Sequence, residues 1–91
     1  MTISADTVVG RADVVWRRTF DRVLVRVPGE GVVVELAGTA VALWDRVEQP
    51  CRFDDLCAEL AGRHGADLGT VTADVAAAVG ELTAGGVLDG G

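Results

Sequence analysis

The sequence predicts an α+β domain: a three-stranded antiparallel meander followed by three helices, a winged-helix-like order. Three observations carry this. Apolar residues recur with period two between residues 13 and 36, the period changes once near Gly38, and helical spacing then holds over residues 39–84. Strands followed by helices, rather than alternating with them, indicate segregated layers in which helices cover one face of a small sheet.

Residues 1–10 show no clear period and are expected to trail or to add a loose edge segment. In the first strand Val14, Trp16 and Arg18 alternate with Val15, Arg17 and Thr19. Phe20-Asp21 turns the chain, and Val23, Val25 and Val27 then alternate with Leu24 and Arg26. Pro28-Gly29-Glu30-Gly31 turns it again into a third strand, where Val32, Val34 and Leu36 alternate with Val33 and Glu35.

Thr39 is the expected cap of the first helix, in which Ala40, Leu43, Trp44 and Val47 fall at i, i+3, i+4 and i+7 before Pro50. Phe53, Leu56, Cys57 and Leu60 repeat that spacing in a second helix, with Asp54 and Asp55 in its first turn and Gly65 at its close. A third helix opens near Asp67 or Thr70, carries Val71, Val75, Ala78, Val79 and Leu82 on one stripe, and stops at Gly85-Gly86. This order leaves no strand among the helices. Leu36, Leu43 and Trp44 stand at the junction of sheet and helices and are expected in the core.

A chain of 91 residues fits one domain over 1–91 with a thin core, burying about 60–65% of its unfolded surface. With 49% apolar and 24% charged residues it should fold rather than remain disordered. No apolar run approaches the roughly 18 residues of a membrane span, and no basic or apolar signal segment opens the chain. The expectation is a cytoplasmic protein with no membrane partner. All eight basic residues are Arg, a bias that carries no functional weight. Residues 1–36 balance five Arg against five acids, whereas residues 37–91 hold three Arg and nine acids, so the net charge of −6 sits in the second part.

The chemistry-bearing residues are few. The lone Ser is Ser4 and the lone His is His64, and the helical period turns Cys57 inward, so no activated nucleophile is expected. Cys51 and Cys57, six positions apart, match no zinc pattern and read as buried thiols, with His64 at a helix end. No metal and no cofactor is expected. Paired carboxylates have structural explanations, and without Lys there is no phosphate loop. The second and third helices could form a helix-turn-helix, but the third carries Asp74 and Glu81 and no Arg, so phosphates would repel it and no nucleic-acid partner is expected. The chain therefore reads as a non-enzyme.

Residues 36–88, "LAGTAVALWDRVEQPCRFDDLCAELAGRHGADLGTVTADVAAAVGELTAGGVL", resemble the PqqD-like family of peptide-recognition domains. The places that match are Leu36 and Gly38, Leu43-Trp44, Asp54-Asp55-Leu56, Asp74-Val75 and Leu82. The chain departs from the pattern at "EQPCRF", where Arg52 stands in place of a Thr cap for the second helix.

The resemblance implies a recognition element that binds the leader of a ribosomally made precursor peptide. It is most similar to the stand-alone leader-binding proteins of lasso-peptide pathways, whose partners are a leader peptidase and a cyclase. A PqqD-type chaperone of another such pathway, and a winged-helix regulator or adaptor, are the alternatives. An edge of the meander offers unpaired N–H and C=O groups to an extended peptide. The candidate site is accordingly the third strand, Val32, Val33, Val34, Glu35 and Leu36, with Asp74, Val75, Ala78, Val79, Glu81 and Leu82 of the third helix as its wall. A stripe of small residues, Ala73, Ala77, Gly80 and Ala84, lies nearly opposite on that helix and is a candidate face for a processing enzyme.

Overall fold

A computed structural model describes residues 3–90. Its order is β1 (Val8–Arg11), β2 (Val15–Arg18), β3 (Val23–Arg26), β4 (Val33–Leu36), α1 (Thr39–Arg46), β5 (Cys51–Arg52), α2 (Phe53–His64), α3 (Leu68–Ala84) and β6 (Leu88–Asp89). The expected meander is β2-β3-β4, antiparallel throughout, with Trp16 opposite Val25 and Val25 opposite Val34. The fold is α+β, as the change of period predicts.

A second small sheet, β5-β1-β6, corrects two expectations. Residues 8–10 of the segment expected to be loose form, with Arg11, the central strand of this sheet, which pairs Val9 with Cys51 and Gly10 with Asp89, and Val9 is fully buried. Residues 1 and 2 of that segment lie outside the described residues. Two-residue strands do stand between and after the helices. They are too short to show any period, and their pairing partner is far away in the chain.

The alternation sorts the meander into faces, as successive strand residues point to opposite sides. Val23, Val25 and Leu36 turn inward and are buried, while Val15, Val33 and Glu35 turn outward and are exposed. Val32 departs from the expectation: it precedes the strand and is exposed. The inward residues meet Leu43, Trp44 and Val47 of the α1 region, Leu56 and Leu60 of α2, and Val75 and Val79 of α3 in one cluster. Each fully buried aliphatic side chain there contributes about 1.5–3 kcal/mol relative to exposure.

The helix starts differ from the sequence reading in instructive ways. Gly38, not Thr39, is the N-cap of α1; its φ of 58° is a left-handed conformation that glycine adopts without strain, which moves the start one residue earlier. Arg52 occupies the N-cap of α2 and supplies no side-chain bond. Instead the N–H groups of Phe53 and Asp54 donate to the carbonyls of Thr7 and Ala5, at 2.7 and 3.2 Å. Main chain from the N-terminal segment thus satisfies donors that a Thr would otherwise serve. α3 starts conventionally, with Asp67 Oδ2 accepting from the N–H of Thr70 at 3.0 Å. Gly65 closes α2 in the left-handed region at φ 61°.

Candidate peptide-binding site

Both β2 and β4 are edges of the meander, since each pairs with β3 alone. Which backbone groups are free on each edge follows from one hydrogen bond. Thr19 N–H donates to the Arg22 carbonyl at 2.9 Å across the β2–β3 turn. In an antiparallel ladder, hydrogen-bonded and non-bonded pairs alternate. Leu24 and Arg26 therefore direct their main-chain groups at β2, and Val23 and Val25 direct theirs at Leu36 and Val34. That leaves the N–H and C=O groups of Val33 and Glu35 aimed outward along the free edge of β4. On β2 the corresponding outward groups belong to Trp16 and Arg18.

The surroundings of the two edges differ. Beyond β4 the chain turns into α1, and Thr39 there joins Leu60 and His64 of α2 and Val71, Asp74 and Val75 of α3 around a hollow of about 170 Å³. Its floor is aliphatic and its rim carries a carboxylate and an imidazole. Beside β2, Trp16 packs edge-on against Trp44 with ring centroids 5.5 Å apart. The Arg11 guanidinium lies 4.3 Å from the Trp44 centroid and 4.9 Å from that of Trp16. Arg11 also donates through Nε and Nη2 to the Trp44 carbonyl, at 3.1 and 2.9 Å. Burial pushes its pKa down from the ordinary arginine value, with Glu48 and Asp45 opposing. Arg18 of β2 is ion-paired with Asp45. The side chains beside β2 are thus already engaged with one another.

The expected site residues separate into groups. The free edge carries Val33 and Glu35 through their backbones, and the Glu35 side chain pairs with Arg22 at 2.6 Å on the outward face. Val34 is half-buried against the core, and Leu36 is buried. On α3, Asp74 and Glu81 are exposed and form no ion pair among the described residues. They lie two helical turns apart, roughly 10 Å along the axis. Asp74 and Val75 line the hollow, whereas Glu81 does not. Ala78 and Leu82 are half-buried against the core. Val79 is fully buried, which corrects its placement in the site: its side chain anchors α3 and presents nothing to a peptide. Thr39, Leu60 and His64 were not anticipated. The period marked Leu60 as core and His64 as a helix end, without showing that both share a hollow with Thr39 and Asp74.

The thiols stand apart from this region. Cys51 and Cys57 are both free and buried, and burial pushes both pKa values up, away from the nucleophilic thiolate. Cys57 lines a different hollow, with Ala5, Phe53, Asp54, Leu68 and Thr72, so it does not share one with His64. Among the described residues no group of His, Cys, Asp and Glu is placed to hold a metal ion. No described helix is long and apolar enough to cross a membrane.

The family model described as coenzyme PQQ synthesis protein D (PqqD) matches residues 22–88. The match runs from the start of β3 through Leu88 of β6 and so includes β4 and α3. No curated protein and no solved structure matches the chain.

Proposed function

The chain belongs to the PqqD family of recognition elements for ribosomally made precursor peptides, and from that premise we propose that it binds a leader segment by strand addition to β4. The family is non-catalytic, and the reading requires no reactive group. An extended leader takes up the outward N–H and C=O groups of Val33 and Glu35 as a fourth strand. Backbone pairing gives affinity without much selectivity, so discrimination comes from the side chains around the strand. The hollow at Thr39, Val71 and Val75 takes an apolar leader side chain, and Asp74 at its rim favours a neighbouring basic residue.

The features that support this reading are the free edge of β4, the hollow that begins at Thr39 three residues after that strand, and the prior engagement of Trp16 and Arg18 on the β2 edge with Trp44 and Asp45. The chain acts in the cytoplasm as one domain over residues 1–91 and presents the bound precursor to a leader peptidase and a cyclase. Among the pathways that use such elements, lasso-peptide biosynthesis with its stand-alone leader-binding proteins is the one we favour.

Amide exchange tests the proposal. On adding leader peptide to the labelled protein, the amides of Val33 and Glu35 gain protection while those of Trp16 and Arg18 do not. Protection at Trp16 and Arg18 instead would move the peptide to β2 and overturn the assignment.

A further inference from the structure

We infer that the outward face of the β2-β3-β4 sheet is the docking surface for the enzyme that processes the leader-bound peptide, and that it takes an acidic and aliphatic protein surface. The inference rests on the leader-binding function proposed above. Of the seven large apolar residues exposed on the described chain, Val15 and Val33 stand on this outward face, flanking half-buried Leu24, and Phe20 is fully exposed at the β2–β3 turn, whereas Trp16, opposite inward Val25, packs back against Trp44. An apolar patch gathered on one face of an otherwise polar surface marks an interaction site more often than scattered residues do.

The register sets out its chemistry. Val15, Arg26 and Val33 form one row across the three strands, and Arg17, Leu24 and Glu35 form the next. Together with Trp16 and without Glu35, these residues line a shallow hollow of about 230 Å³. Glu35 is answered by Arg22, whereas Arg17 and Arg26 form no ion pair among the described residues. Two unanswered guanidinium groups interleaved with valine and leucine, on a protein of net charge −6, complement carboxylates set among aliphatic side chains. Arginine and aromatic residues are also the side chains that most often anchor protein interfaces. A peptide added to β4 continues both rows, so one enzyme surface would span the sheet and the leader's outward side chains. Bound phosphates would engage the arginines but leave Val15, Leu24, Val33 and Phe20 in water. The exposed small residues of α3 offer neither charge nor an anchor.

The test uses the full chain, a labelled leader peptide and the purified peptidase that cleaves the same precursor. The peptidase is titrated into wild type and into the Arg17→Glu/Arg26→Glu variant, with and without leader. At least a tenfold loss of peptidase affinity, with leader affinity within twofold of wild type, supports the inference. The milder Arg17→Gln/Arg26→Gln variant should lose less, and circular dichroism verifies that both fold. A photoreactive benzoylphenylalanine at position 20 should cross-link the peptidase at a segment rich in Asp or Glu and aliphatic residues. Unchanged peptidase affinity, cross-linking only to a second copy of this chain, or arginine-dependent binding of a single-stranded oligonucleotide would overturn it. Failure of wild type to bind leader at all would defeat the function proposed above, and that outcome is read separately in the leader titration.

Discussion

The N–H of Phe53 donates to the carbonyl of Thr7 across 2.7 Å, so the first turn of α2 is capped by main chain from the other end of the molecule. The same segment supplies Asp6, which pairs with Arg52 at 2.6 Å, and leads into β1, whose Val9 is fully buried. Removing residues 1–7 exposes two donors of α2 and frees one of its flanking ion pairs. The loss should be about 1–3 kcal/mol from the donors, with a further contribution from Ile3, which packs against the core, and little from the exposed ion pair. Chemical denaturation of the truncated chain measures it, and an unchanged midpoint would show that the cap is dispensable.

Much of the scaffold was legible in the sequence because it repeats locally. Period two located β2, β3 and β4, and helical spacing located α1, α2 and α3 to within a few residues. Leu36, Leu43 and Trp44 are core, as their place at the junction predicted. What was not legible depends on distant main chain. The strands Cys51–Arg52 and Leu88–Asp89 are too short for a pattern, and the carbonyls of Ala5 and Thr7 carry no residue-specific signal as caps. At the candidate site, the outward direction of Val33 and Glu35 could not be read from alternating valines. It depends on which pairs in the ladder are hydrogen-bonded, and the Thr19 to Arg22 bond decides that. The apolar stripe of α3 likewise could not separate Val79, which is buried, from Val71, which borders the hollow.

Arg11 couples β1 to the aromatic pair beneath β2. Its Arg11→Ala replacement removes two contacts with indole rings and two hydrogen bonds to the Trp44 carbonyl, and should cost about 1–3 kcal/mol. Arg11→Lys should recover only part of this, because an ammonium lacks the planar fork. Tryptophan emission and thermal melts report both changes, and a silent Arg11→Ala would contradict the role assigned to the cluster.

Both thiols should resist alkylation in the folded protein. Burial raises the pKa of Cys51 and of Cys57 and also blocks access, so iodoacetamide at pH 8 should react at least tenfold more slowly than with unfolded chain. The sign for stability follows. A thiol whose pKa is raised in the folded state favours folding below its unfolded pKa, and that contribution fades as pH rises through the folded value. Stability should therefore decline on the alkaline side, and Cys51→Ala/Cys57→Ala should flatten that decline. An identical alkaline limb in the variant would rule the thiols out as its cause.

Asp74 and Glu81 should set which leaders are accepted. Asp74→Arg replaces a carboxylate at the rim of the hollow with a cation, so a leader with basic residues near that end should lose roughly two- to fivefold in affinity, the scale of an exposed ion pair. Glu81→Arg, outside the hollow, should have the smaller effect. Titrations of paired leaders that differ only in charge check this, and equal, charge-independent responses would remove α3 from the recognition surface.

The most direct test of leader binding at β4 is a titration of labelled leader peptide into wild type and Val33→Pro. Proline removes an N–H that points away from β3 and fixes φ near the extended range, which an outer edge tolerates and an added strand does not. Wild type should bind with micromolar to nanomolar affinity, about −8 to −12 kcal/mol. Val33→Pro should lose tenfold or more while keeping its circular dichroism and Tm near wild type, whereas Val34→Pro, whose N–H serves the ladder with Val25, should lose stability. A folded Val33→Pro protein that binds leader as tightly as wild type would contradict strand addition at β4.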